Sequence, residues 1–135
     1  MYIQKFFLAI LLFISIANGN INTIIYKNYN QTIKIAQKEN KPIFILFSKP
    51  NCPWCKKLKS KILTTKDIYK RLEKEYIVLF LDKDRDIYPK KYKIQATPTV
   101  FLISPTEEIY TEIIGYHKNS RDYIKWFNYV KIERE

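Results

Sequence analysis

The chain turns on "IFILFSKPNCPWCKKLKSKI", residues 43–62. An unbroken apolar run from Ile43 to Phe47 stops at Ser48, and Cys52 and Cys55 follow with only Pro53 and Trp54 between them. They are the only two cysteines in the protein. An apolar run of this length reads as a strand covered on both faces, since a one-sided strand would alternate. Beyond the pair, Cys55, Leu58 and Ile62 share one helical face. Pro53 suits the first turn of that helix, where a missing N–H leaves no bond unmade. The stretch therefore predicts strand, short loop and helix, with the cysteines at the helix start.

Outward from this unit, Ile24-Ile25-Tyr26 predicts a short edge strand. Tyr29, Ile33, Ala36 and Gln37 form a helical stripe that ends at Asn40-Lys41-Pro42. After the cysteine helix a second helix restarts near Thr65, with Ile68 and Leu72 inward, and leads to a buried strand over Tyr76–Asp82. Residues 85–94, "RDIYPKKYKI", predict a short, interrupted helix. Two strands, Pro98–Ser104 and residues 107–115, are close enough in sequence to pair as a hairpin. Asn119 or Ser120 caps a last helix, whose inward stripe is Tyr123, Ile124, Phe127 and Val130. The order β-α-β-α-β-α-β-β-α describes one mixed α/β domain over residues 20–135, without repeats or linkers.

The first residues, "MYIQKFFLAILLFISIANG", have a different layout. Lys5 precedes an apolar run from Phe6 to Ile16, and Ala17-Asn18-Gly19 has the small-x-small form of a cleavage site. Residues 1–19 are therefore expected to be a signal peptide, cleaved or retained as an anchor, and the protein is expected to be periplasmic or secreted. The run is short of the roughly 20 residues needed to span a bilayer. The formal charge is +11, and 20 of the 24 basic residues are lysine. They are scattered along the chain with no arginine cluster, so a solvated basic surface is read here, and no nucleic-acid partner.

The cysteine pair admits four readings. Zinc needs two more ligands, and the chain holds a single histidine, His117. Covalent haem attachment needs histidine directly after the second cysteine, where Lys56 stands. A purely structural disulfide suits an exported protein, but so short a loop removes little chain entropy. A reversible dithiol fits the local physics. Cys52 lies at a helix N-terminus, where free N–H groups and the helix dipole favour a thiolate, and Lys49, Lys56 and Lys57 add positive potential. Cys55, one turn on, is placed to attack a mixed disulfide held on Cys52. Cys52 is thus read as the attacking thiol and Cys55 as the resolving one, with no cofactor and no metal.

These residues resemble the thioredoxin superfamily. "FILFSKPNCPWCKKL" resembles its strand, active-site loop and helix; "VLFLDKDRD" resembles its next central strand. "YKIQATPTVFLIS" resembles the stretch with a cis-proline facing the cysteines, and "IIGYHKN" the glycine-ended strand before the terminal helix, with Gly115 as that glycine. The resemblance implies a thioredoxin-like three-layer α/β/α sandwich around a central mixed sheet. It implies that Thr97 and Pro98 shape a substrate groove flanked by Trp54. Three departures stand out. Thioredoxins proper carry a buried acid at the position of Leu46 and a lysine at that of Val78, and the strongly oxidising periplasmic enzymes have a histidine between the cysteines.

The resemblance implies an exported thiol–disulfide oxidoreductase acting on cysteine-containing exported proteins, as reductase or isomerase more than as strong oxidase. It would work as a monomer with a membrane-bound or soluble redox partner. The alternative is a thioredoxin-like binding or chaperone module whose disulfide does not cycle. Trp54 reads either as a substrate platform or as an aromatic shielding Cys55. His117 reads as a solvent-exposed loop residue, and Asp82, Asp84 and Asp86 as a solvated strand end, because the calcium-loop pattern is missing. Trp126 and Phe127 read as core or half-core residues of the last helix.

Overall fold

Strand β2 (Ile43–Ser48) is buried along its whole length. It is hydrogen-bonded on both edges, parallel to β3 (Ile77–Asp82) and antiparallel to β4 (Thr99–Ile103). A two-residue strand, β1 (Ile25–Tyr26), adds parallel to β3, and β5 (Ile109–Ile114) pairs antiparallel with β4 as the expected hairpin. The sheet order is β1-β3-β2-β4-β5. This computed structural model describes residues 23–135, so the signal reading of residues 1–19 lies outside the described residues.

Alternation along the strands assigns their side chains to two cores. Phe44, Leu46, Val78, Phe80, Val100 and Leu102 face helices α2 (Pro53–Thr64), α3 (Lys66–Glu75) and α4 (Ser120–Glu133). Ile43, Ile45, Phe47, Leu79, Leu81 and Phe101 face α1 (Tyr29–Glu39). Each fully buried side chain of this size contributes about 1.5–3 kcal/mol, in keeping with the absence of polar residues in β2 before Ser48 and in β3 before Asp82. Helices on both faces of a mixed sheet make the three-layer α/β sandwich, as expected.

The local signals account for the helix ends. Asn28 caps α1, its Oδ1 accepting from Gln31 N–H at 2.9 Å, and Asn40 ends it in left-handed backbone at φ 50°. The inward stripe of α1 holds Thr32 and leaves Gln37 exposed, a correction to the expected one. Thr32 can be buried because its hydroxyl donates to Asn28 O at 2.7 Å. At α4, Asn119 is the cap and accepts from Arg121 N–H at 3.0 Å. Tyr123, Phe127 and Val130 are buried there, with Ile124 and Trp126 half-buried.

Residues 85–94 form no helix, contrary to expectation. Tyr88 precedes Pro89, which disfavours helical backbone at Tyr88. Asp82 also diverts the chain, since its Oδ1 accepts from the N–H groups of Asp84 and Arg85 at 2.9 and 3.1 Å. Two aromatic rings hold the segment in place of a helical stripe. Tyr88 and Tyr92 lie 4.8 and 5.7 Å from the Phe47 ring, and the Tyr92 hydroxyl meets that of Tyr29 at 2.9 Å.

Candidate functional site

Strand β2 delivers the chain to a turn in which Asn51 takes left-handed backbone (φ 57°), and Cys52 becomes the N-cap of α2. Its sulfur does what a capping oxygen does elsewhere. Cys55 N–H donates to Cys52 Sγ at 3.2 Å, and Lys56 N–H donates to Cys52 O at 3.1 Å. The sulfur thus stands where the unpaired N–H groups and dipole of α2 favour negative charge. Pro53 occupies the first turn, as its missing N–H allows. Cys52 and Cys55 are joined as a disulfide, Cα to Cα 5.2 Å. Both are buried, Cys55 more deeply at 2 % exposure against 7 %.

The loop before β4 faces this sulfur. The Thr97–Pro98 peptide is cis, and Cys52 Sγ lies 3.6 Å from Thr97 Oγ1 and 3.7 Å from Thr97 O. In the disulfide form the Thr97 hydroxyl can donate to the sulfur; once reduced, the thiol can donate to the carbonyl. Two further bonds fix the loop. Thr99 Oγ1 donates to Ala96 O at 2.7 Å, and Gly115 N–H donates to Pro98 O at 2.8 Å. Gly115 has φ +81°, a backbone that side chains disfavour, which explains glycine at this end of β5.

Trp54, Thr97, Pro98, Gly115 and Tyr116 line a shallow groove of about 250 Å³ beside the disulfide. Trp54 is 53 % exposed and stacks on Tyr116, with Lys57 Nζ 4.5 Å from its ring centroid. An exposed, stacked ring favours the platform reading over the shield. Tyr116 carries no motif in the sequence beyond its place directly after Gly115.

A second opening of about 310 Å³ is lined by both cysteines, with Lys27, Lys59, Phe80 and Asp82 among others. The Lys59 ammonium is held below its ordinary range, first by burial and then by Lys27, with Asp82 opposing. Asp82 and Asp86 build the turn after β3, since Asp86 Oδ2 accepts from Asp82 N–H at 2.6 Å. Among the described residues no group of three His, Cys, Asp or Glu is placed to hold a metal ion.

His117 lies in a loop but is half-buried, a correction to its expected exposure. Its ring meets Trp126 edge-on at 4.8 Å, and its Nδ1 lies 3.9 Å from Asp122 Oδ2. These contacts fasten the loop to α4 and leave His117 outside both openings beside the cysteines.

Comparison with known proteins agrees with this geometry. Among solved structures, a thioredoxin from Thermus thermophilus superposes with TM-score 0.70 at 18% identity, covering 82% of this chain and 89% of that one. A structure described as DsbH oxidoreductase gives 0.64 at 17% identity, covering 78% and 83%. Among curated sequences, anterior gradient protein 3 of Mus musculus is 23% identical over 96 residues, covering 69% of this chain and 56% of its own length. A protein of Borreliella burgdorferi is 28% identical over 135 residues, covering 94% and 58%. The chain thus spans somewhat more than half the length of these curated relatives. A family profile described as thioredoxin-like domain matches residues 29–131, from the start of α1 through the cysteine pair and the cis-proline loop into α4, and the chain belongs to that family.

Proposed function

We propose that this protein is an exported thiol–disulfide oxidoreductase that exchanges disulfides with cysteine-containing exported proteins, as reductase or isomerase. The observation that carries the reading is the Cys52 sulfur itself. It caps α2, accepts the Cys55 N–H, faces the Thr97–Pro98 loop and lines the cleft that also holds Cys55, so a thiolate there is stabilised and borders an opening to solvent.

In the reductive direction the Cys52 thiolate attacks one sulfur of a substrate disulfide, and the other sulfur leaves as a thiolate. The Cys55 thiolate then attacks Cys52 Sγ; the Cys52–Cys55 bond forms and the substrate's second sulfur departs. Two electrons have passed to the substrate, and a membrane-bound or soluble dithiol partner restores the reduced pair. Thr97 and Pro98 border the incoming segment, Trp54 flanks it, and Pro53 shapes the loop. No cofactor is required, and the protein acts as a monomer.

Insulin reduction tests the activity, and trapping tests the roles. Cys52 should titrate below the free-cysteine value of about 8.5, and Cys55 above Cys52. Cys55→Ser should accumulate substrate proteins as mixed disulfides on Cys52, while Cys52→Ser should accumulate few. Equal trapping by both variants would remove the assignment, and absence of insulin reduction would favour a module whose disulfide does not cycle. For export, N-terminal sequencing of the native protein should begin near Asn20; an intact Met1 in the membrane fraction would indicate a retained anchor.

A further inference from the structure

Cys55 must lose a proton before its sulfur can resolve a mixed disulfide, yet it is almost fully buried, on a helix face that runs on into hydrocarbon. Leu58 and Ile62 continue its helix face, and Leu46 in the strand below is fully buried in the same core. No residue of β2 can titrate. Burial among such groups disfavours a thiolate, so the resolving step needs a source of positive potential.

Lys59 meets that need. It lies four residues after Cys55 on α2, a spacing that makes helix side chains neighbours, and the two line the same cleft. Its Nζ is 5.7 Å from the centroid of the Phe80 ring, and Phe80 is the in-register partner of Leu46 on β3. Lys27 Nζ lies 5.4 Å from the same ring. Burial in the cleft disfavours the Lys59 charge, and the Lys27 ammonium over the same ring adds to the cost. A side chain kept only for packing would be better without the charge.

We infer that the Lys59 ammonium is the positioning charge for resolution, stabilising the Cys55 thiolate across the cleft. The inference rests on the dithiol-exchange reading above. With substrate held on Cys52, the Cys55 S–H bond breaks and its proton passes to solvent in the cleft. The Cys55 thiolate attacks Cys52 Sγ, the Cys52–substrate S–S bond breaks, and the electron pair leaves on the substrate sulfur, which takes up a proton. Lys59 stays protonated throughout. The other charged groups lining the cleft are Lys27 beyond β1, Lys49 beyond β2, Lys56 on α2, and Asp82 and Asp86 at the end of β3, with Cys52 as the remaining thiol. Asp82 cannot replace Lys59, because its charge has the wrong sign and its Oδ1 is bonded within the turn.

The size of the effect follows from thiol chemistry. Lowering a thiol pKa by about one unit raises its thiolate tenfold at lower pH, while a Brønsted slope of about 0.4–0.5 takes back roughly threefold in nucleophilicity. The net gain is about threefold.

The test is stopped-flow reaction of the reduced protein with dipyridyl disulfide, an uncharged probe that releases one pyridinethione on attack and a second on resolution. Lys59→Met and Lys59→Gln should slow the second release about threefold near pH 7, relative to the first. Lys59→Arg should restore it. The gap should close at alkaline pH, where the thiol ionises unaided and Lys59 loses its charge. Lys59→Met should also raise the melting temperature near neutral pH. The folded-state value of Lys59 lies below the unfolded one, so the charge costs stability at low pH, and that cost disappears as pH rises between the two values. The inference is overturned if folded Met and Gln variants release the second thione as fast as wild type, if Arg fails to restore it, or if the deficit is equally large at alkaline pH. Wild type that releases no thione at all would overturn the oxidoreductase reading instead.

Discussion

Trp54 and Tyr116, brought together from the start of α2 and the loop after β5, stack with ring centroids 5.6 Å apart and planes inclined by 28°. The pair lines a groove together with Thr97, Pro98 and Gly115, and Thr97 is the groove residue that meets the Cys52 sulfur. Lys57 over Trp54 and Lys61 over Tyr116, at 4.5 and 5.6 Å, hold the rings from the helix side. Such cation–ring contacts favour a fixed platform over two freely turning side chains.

An aromatic pair of this kind is worth about 0.5–1.5 kcal/mol beyond its buried area, or roughly two- to tenfold in an equilibrium. Trp54→Ala is expected to lower kcat/KM for a protein disulfide within that range, mainly through KM. Tyr116→Ala should act in the same direction, and the double variant should lose less than the product of the two. Independent, multiplicative losses would show that the rings do not act as one surface.

Gly115 offers a stability test free of steric conflict. A Cβ built there meets nothing within 4 Å, so only the backbone, at φ +81°, resists a side chain. Gly115→Ala should cost about 1 kcal/mol in denaturant unfolding. It should also loosen the Pro98 carbonyl, which accepts from Gly115 N–H at 2.8 Å. A loss well above 3 kcal/mol would mean that the loop depends on more than this bond.

The residues that were legible in the sequence carry strong local or compositional signals. β2 reads as a double-faced strand because all of its residues are apolar save Ser48, and α2 because Pro53 and the spacing of Cys55, Leu58 and Ile62 agree. Thr97 and Pro98 were placed opposite the cysteines by resemblance; periodicity contains nothing about a contact 45 residues apart. In the segment 85–94, Tyr88 and Tyr92 have the four-residue spacing of a helical stripe, whereas each ring packs separately on Phe47. Tyr116 and Lys59 are silent in the sequence for the same physical reason. Each acquires its surroundings only when α2 is laid against β3 and β5, and a lysine's partial burial has no signature in one chain.

The buried tyrosines set an alkaline limit on stability. Burial raises Tyr29, Tyr76, Tyr92 and Tyr123 above the ordinary phenol range, and at Tyr29 the hydrogen bond to Glu107 adds to it. A folded-state value above the unfolded one means that the fold holds protons the unfolded chain releases. The stabilisation is complete below the unfolded value, about 10, and is lost as pH rises beyond it. Melting temperature should therefore fall above pH ~10, as these phenols ionise in the unfolded chain. A melting curve unchanged to pH ~12 would contradict the burial of these hydroxyls.

If Cys55 resolves the mixed disulfide as proposed, Leu46 provides the sharpest test of how that thiol loses its proton. It is fully buried, pairs with Phe80 and Val100, and shares its core with Leu58 of α2. Leucine can take no proton, so resolution must rely on solvent and on whatever charge lies near Cys55. A carboxylate at this position would place a proton acceptor in the core that also holds Leu58, one helical turn from Cys55. Leu46→Asp is thus expected to speed resolution at neutral pH while changing initial attack little, since attack depends on the helix terminus at Cys52. It should also destabilise the fold by about 2–5 kcal/mol, because an ionisable group enters a strand covered on both faces. Leu46→Asn separates the two effects: it carries a similar desolvation cost but cannot accept a proton at neutral pH. Stopped-flow kinetics of the three proteins, each first shown to be folded by circular dichroism, would follow attack and resolution separately. Faster resolution in Asp but not in Asn supports a proton-limited step. If resolution is unchanged or slower in folded Leu46→Asp, proton loss from Cys55 does not limit the cycle and the leaving thiolate sets its rate.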